Sequence, residues 1–323
     1  MPTTLSITTP DDFVLARDAC SYGYFLLEPN HWDPQTRTLG RVLTLGGGSA
    51  SARIDQRRDG RLRARFDRTL SRAEQAEARD GIVRMLSLDA PASDLAEFHR
   101  VDPRWGPSGR GRLFRSPTLF EDVIKTVTSC NVAWPSTITM NRRLCEVYGA
   151  RSVAGGRGFP TPAKLARARP ETLRARCRVG YRDARIVALA GLFRRGAIDV
   201  AWLEDPATDD DEVFAFLKTL PGIGPYAAGN IMQLLGRYSR LALDSESLRH
   251  ARSVLGMEGT DAALMKRLAA HYEPFGRHRF RSYWFELWDF YESKRGPAHT
   301  WDKHTTAATF TAAQLAEPGG RRG

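Results

Sequence analysis

Leu220-Pro221-Gly222-Ile223-Gly224-Pro225-Tyr226 is the stretch on which the reading of the chain turns. Glycines at i and i+2 permit backbone conformations closed to other residues, and Pro225 suits the first position of a following helix. The pattern predicts a tight turn between two helices, 211–219 and 225–235. Such a turn aims unpaired backbone N–H groups outward at a helix N-terminus, the arrangement that holds an anion such as a phosphate. An ordinary helix-helix corner uses the same Pro-Gly and Gly-Pro pairs, so the stretch has to be read with its surroundings.

Around the turn the apolar period is helical. Ser116-Pro117 reads as a cap with Pro at the first helical position, followed by apolar Leu119, Val123 and Val127. Further helices are predicted at 136–148, 162–178, 181–195, 245–255, 261–272 and 279–293. Upstream, Tyr22 to Leu27, Leu39 to Leu45, Ala52 to Asp55 and Leu62 to Phe66 read as short strands between turn signals, and a charged helical stretch runs from Ser71 to Val101. The expected fold class is mainly α with an N-terminal α+β domain. An antiparallel sheet domain is expected over 1–112, a two-lobed helical domain over 113–295, and a tail that frays over 296–323.

Lys and Arg number 48 against 37 acids, a formal charge of +11 that suits a polyanionic partner. No stretch approaches the ~18 apolar residues of a membrane span, and the N-terminus lacks the regions of a signal peptide. The expectation is a cytoplasmic, nucleoid-associated protein. Cys20, Cys130, Cys145 and Cys177 show no C-x-x-C spacing, which argues against a zinc site and a disulfide framework. His250 and His271 stand without ligand spacing, so no catalytic metal is expected.

Beyond the turn, Leu241-Ala242-Leu243 delivers Asp244 to the start of a predicted helix. An aspartate there serves as an N-cap and can be nothing more. The complete pattern Leu-Pro-Gly-Ile-Gly-Pro-Tyr-Ala-Ala on a basic chain, followed by this aspartate, resembles the helix-hairpin-helix (HhH-GPD) DNA glycosylase superfamily, between its bacterial 3-methyladenine and 8-oxoguanine branches. The resemblance extends over about residues 12–293. It implies that Asp244 faces the nucleotide, where a fixed carboxylate stabilises the oxocarbenium character built on the sugar as the N-glycosidic bond breaks. The same carboxylate can orient the attacking water.

Relatives that also cut the strand place a lysine at the end of the hairpin to form a Schiff base. Tyr226 holds that position here, and a phenol cannot form an imine. The resemblance therefore implies the monofunctional branch, which leaves an abasic site, with Tyr226 stacking on the flipped base. Leu220, Gly222, Ile223 and Gly224 would grip the DNA, and Lys218 just before them is a phosphate contact or a solvated charge. No iron-sulfur cluster is implied, since no cysteine follows Cys177, and an alkali ion on the hairpin carbonyls would be structural.

Two segments resemble the 8-oxoguanine branch. Ser129-Cys130-Asn131 ahead of Met140-Asn-Arg-Arg-Leu-Cys145 suggests that Asn131 fills the gap left by the flipped nucleotide. Gly180-Tyr181-Arg182 suggests a tyrosine wedge and an arginine on the estranged base, although a core aromatic and a surface charge read equally well. Ser136, Asn230 and Tyr226 depart from that branch, so 8-oxoguanine is not assigned. The run Phe280 to Trp288 resembles the closing helix of the alkylation-repair branch. Its aromatics suit a core, while Trp284 and Trp288 could line a base pocket that favours cationic alkylated purines. Tyr22 and Tyr24 share one strand face in this reading, core or cleft. The expected partner is double-stranded DNA carrying a damaged base, bound by a monomer. The alternatives are a non-catalytic damaged-DNA binder and an 8-oxoguanine-type glycosylase.

Overall fold

The computed structural model describes residues 1–302. Strands β1 (Thr4–Ile7), β2 (Asn30–Asp33), β3 (Thr38–Leu45), β4 (Gly48–Gln56) and β5 (Leu62–Phe66) form one antiparallel sheet in the order β1-β5-β4-β3-β2. Alternation sets its faces: Leu62, Ala64 and Phe66 point inward while Arg63 and Arg65 point out. The edge strands β1 and β2 are not among the predicted ones, because runs this short carry too little pattern to register in sequence.

Tyr22 to Leu27 is not a strand. Gly23–Leu26 forms a 3-10 turn, with Phe25 N–H donating to Tyr22 O at 3.1 Å and Leu27 N–H to Tyr24 O at 3.0 Å. A run of apolar side chains packed on all sides needs no sheet partner, and the local i→i+3 bonds satisfy its backbone instead.

The helices follow as α1 (Leu15–Ala19), α2 (Arg72–Met85), α3 (Ala92–Val101), α4 (Leu119–Ser129), α5 (Trp134–Tyr148), α6 (Pro162–Leu165), α7 (Pro170–Thr172), α8 (Asp183–Arg194), α9 (Val200–Glu204), α10 (Asp210–Leu217), α11 (Pro225–Leu234), α12 (Ser245–Ser253), α13 (Asp261–Tyr272) and α14 (Arg279–Arg295). The stretch predicted as one helix over 162–178 breaks after Leu165; Pro170, whose ring and missing N–H cannot sit inside a helix, starts α7, which runs on into a π-helical turn at Leu173–Cys177. The cap ahead of α4 is Thr118 rather than Ser116; its side chain accepts from Glu121 N–H at 3.3 Å.

Two large cores result. One joins the inner face of the sheet to α2 and to α12–α14 through Ile54, Ile82, Leu268 and Leu287; the other fills the lobe of α4, α5, α8, α10 and α11. A smaller cluster of Phe98, Trp105, Phe280 and Phe285 closes the base of α14. The expected fraying after Gly296 does not hold as far as residue 302. Trp301 is 2% exposed, its ring 5.2 Å from that of Trp288, and its indole N–H donates to Gly296 O at 2.7 Å. Burying so large an apolar surface outweighs the entropy of ordering a few residues. The rest of the predicted tail, 303–323, lies outside the described residues.

Candidate active site

The hairpin between α10 and α11 takes the predicted form. Gly222 has φ +79°, which favours glycine, and a Cβ there would stand 2.5 Å from Cδ of Arg185, whose exposed side chain would have to move. The N–H groups of Leu220 and Ile223 are used internally, donating to Leu217 O and Leu220 O at 3.1 Å each. The side chains of Leu220 and Ile223 are buried in the helical core. Their apolar side chains anchor the turn, so neither side chain faces outward. The N–H groups of Gly222 and Gly224 find no acceptor among the described residues, Gly224 caps α11 without help from any side chain, and the space before it is open. These unpaired donors and the exposed Lys218 just upstream lie on one edge, an arrangement able to accept an anion.

Asp244 is both a cap and an open carboxylate. One oxygen, Oδ1, accepts from the backbone N–H groups of Glu246 and Ser247 at 3.0 and 3.1 Å, and Asp244 N–H donates to Ser247 Oγ at 3.0 Å, closing a capping box at α12. Ser247 Oγ is in turn 2.7 Å from the hydroxyl of buried Tyr283 on α14. The other oxygen, Oδ2, has no partner among the described residues, and Asp244 lines a cavity of about 880 Å³ between the two large cores. The capping interactions thus fix the carboxylate without consuming it.

The cavity gathers Asp244, Tyr226, Trp284, Trp288, Gly222, Gly224, Asn131, Tyr181 and Arg182. Its wall is aromatic. Trp284 stacks between Phe280 (6.0 Å, 6°) and Trp288 (5.3 Å, 29°), with Tyr22 at 4.6 Å. The Trp284 indole N–H donates to Ser21 O at 2.8 Å, which fixes the ring. Trp288, 4% exposed, mainly backs its neighbour. Burial pushes the Tyr226 phenol well above its usual range, and the nearby Asp244 carboxylate adds to the shift. Among the described residues no lysine lines the cavity. Lys125 is fully buried, ion-paired with Glu121 at 2.6 Å, with its Nζ 5.6 Å from the ring of the cavity-lining Tyr24.

At the mouth, Asn131 sits exposed with φ +53°, and its amide donates to the Tyr181 hydroxyl at 3.4 Å; Tyr181 is 50% exposed. Arg182 does not reach outward. It is 4% exposed and donates to the carbonyls of Val127 (3.1 Å), Val179 (3.3 Å) and Cys130, tying off the C-terminus of α4. In this position, expected from sequence to meet the estranged base, it anchors the Asn131 loop. The exposed cation is Arg185, one helical turn on, its guanidinium 5.0 Å from the Tyr181 ring.

Sequence reasoning missed Arg185, Trp134 and Glu246 as cavity residues, and Asn230 registered only as a departure from a relative. Asn230 lies four residues after Tyr226, hence on the same face of α11, and its Oδ1 accepts from the Tyr22 hydroxyl at 3.3 Å. That periodicity could have found it. Trp134 is carried by the start of α5, packed where a Cβ on Gly23 would meet its ring at 3.1 Å. Among the described residues no group of His, Cys, Asp and Glu is placed to hold a metal, and no helix is long and apolar enough to cross a membrane.

No family model matches the chain, and no curated protein sequence does. Solved structures do. The apo form of an 8-oxoguanine glycosylase/lyase from Clostridium acetobutylicum superposes with a TM-score of 0.65 at 14% identity, over 89% of this chain and 98% of that one. The same protein bound to double-stranded DNA with cytosine opposite 8-oxoguanine gives 0.64 at 15% identity over 90% and 98%. A 3-methyladenine DNA glycosylase from Archaeoglobus fulgidus gives 0.62 at 19% identity over 89% and 98%. The sheet followed by a two-lobed helical body is thus the fold these glycosylases share, as the sequence resemblance implies.

Proposed function

We propose that this chain, built on the fold of the 8-oxoguanine and 3-methyladenine glycosylases, is a monofunctional DNA glycosylase. It acts as a monomer on double-stranded DNA, flips a damaged base, with alkylated purines favoured, and hydrolyses its N-glycosidic bond to leave an abasic site. The observation that carries the reading is the open oxygen of Asp244, fixed by its capping bonds at the edge of an aromatic cavity beside the unpaired hairpin N–H groups.

In this mechanism Gly222 and Gly224 hold the strand by a phosphate, and Asn131 and Tyr181 occupy the gap in the duplex. Tyr226, Trp284 and Tyr22 offer ring faces to the flipped base. A positive charge on the base is attracted to those faces, and an alkylated cationic purine leaves without prior protonation. Asp244 stabilises the developing oxocarbenium charge and directs water to C1′. Tyr226 at the hairpin end, and the lack of a lysine among the described cavity residues, support base removal without strand cleavage.

The same reading places a structural alkali ion on the hairpin, where no donor among the described residues reaches the carbonyls of Pro221, Gly222 and Ile223. Those oxygens suit a hard cation, which would stiffen the turn.

The test is a panel of duplexes carrying methylated, deaminated or oxidised bases, with abasic sites revealed by alkali. Release of 7-methylguanine or 3-methyladenine without a borohydride-trapped adduct is expected. Binding without release from any duplex would leave the chain a damaged-DNA binder, and a trapped adduct would remove the monofunctional assignment.

A further inference from the structure

A second carboxyl group shares the cavity with Asp244. Glu246 lies in the first turn of α12, where an acid ordinarily faces solvent and complements the helix dipole. Here its side chain lines the cavity instead. Its Oε1 accepts from Arg249 Nε at 2.6 Å and from the Tyr291 hydroxyl of α14 at 2.8 Å. Its Oε2 accepts no hydrogen bond from any described residue. Two carboxyl groups, each held by one oxygen and open at the other, thus line one aromatic pocket.

We propose that Glu246 is a general acid that extends excision to neutral purines, an inference resting on the glycosylase reading above. The proton on its free oxygen passes to a ring nitrogen of the flipped base as the C1′–N9 bond breaks, and the bonding electron pair leaves with the base. Asp244 stabilises the sugar cation until water adds at C1′ and gives up its proton to the Asp244 carboxylate, which releases it to solvent, and solvent then reprotonates Glu246. Cationic alkylated purines bypass this transfer because they already leave as neutral molecules.

The groups facing Glu246 favour its protonated form. Burial raises its pKa and outweighs the opposing Arg249 ion pair and Tyr291 hydrogen bond, and the negative charge of Asp244 raises it further. Tyr283, the other phenol of α14 near it, is itself pushed up by burial, so it stays neutral. A carboxyl group that resists ionising is suited to donate a proton.

The experiment measures single-turnover base release from duplexes carrying one 7-methylguanine, which is cationic, or one hypoxanthine, which is neutral, across pH. For the wild type, hypoxanthine release should fall as pH rises through the Glu246 ionisation more steeply than 7-methylguanine release. Glu246→Gln, which keeps an acceptor for Arg249 and Tyr291, should lower the hypoxanthine to 7-methylguanine rate ratio about a hundredfold. A merely structural role would depress both rates together and leave the ratio within a few fold, overturning the proposal. Wild-type release of 7-methylguanine without hypoxanthine would overturn it equally, with the glycosylase reading intact. Release of neither base would sink that reading and this proposal together.

Discussion

Asp244 carries two loads that substitution can separate. Asn is as good an N-cap as Asp, so Asp244→Asn keeps an oxygen for the N–H groups of Glu246 and Ser247, which stand at 3.0 and 3.1 Å, and stability should hold within a few tenths of a kcal/mol. Asp244→Ala removes that acceptor and should cost about 1 kcal/mol. The chemistry should respond differently. A carboxylate about 4 Å from a developing unit charge, at an effective dielectric of about 20, contributes roughly 4 kcal/mol. At ~1.4 kcal/mol per factor of ten, that is about a thousandfold in rate. Both variants should therefore lose base release by about three orders of magnitude, while only Asp244→Ala lowers the melting temperature. The assay is single-turnover release of 7-methylguanine at saturating enzyme, paired with thermal melting. Asn at this position retaining release within tenfold of wild type, with unchanged melting, would refute the role of the open oxygen.

Gly222→Ala must hold a left-handed conformation that costs roughly 1–2 kcal/mol and must displace Arg185; affinity by fluorescence anisotropy should fall equally for damaged and intact duplexes, and a lesion-specific loss would contradict a phosphate grip. Arg182 and Arg185 should part company. Arg182→Ala removes the donor to the carbonyls of Val127 and Cys130, while Val179 O keeps the backbone N–H of residue 182, and should cost about 1–3 kcal/mol of stability. Arg185→Ala should leave melting unchanged and reduce the slope of log affinity against log salt by about one; the reverse pattern would exchange their roles. Acid should weaken the α12–α14 packing through Glu286. Burial works to raise its pKa, but hydrogen bonds from His250, Tyr272 and Arg104 prevail and hold it at about 2. Its contribution is then complete above the ordinary carboxylate value of 4.5 and is lost as pH falls toward 2. Melting of Glu286→Gln should depend less on pH across that window, and parallel curves would remove the assignment.

What the sequence determines on its own is set by local physics. Gly222 fixes a turn because few other residues adopt its φ of +79°, Pro225 suits the first position of the helix that follows, and a short apolar run ending in Asp244 fixes a helix start because an aspartate oxygen suits the first N–H groups. Helical periodicity located α13 to its ends for the same reason. Which oxygen of Asp244 remains open, that Glu246 turns inward rather than to solvent, and that Arg185 rather than Arg182 meets the outside are decisions of tertiary packing. The cavity itself is made by contacts remote in sequence: Tyr22 to Asn230, separated by 208 residues, and Ser21 to Trp284, separated by 263. A local pattern specifies dihedral angles and faces. The orientation of a side chain in a shared pocket depends on partners that only the folded chain brings within hydrogen-bonding distance, which is why the hairpin and the aspartate were legible in the sequence and the pocket between them was not.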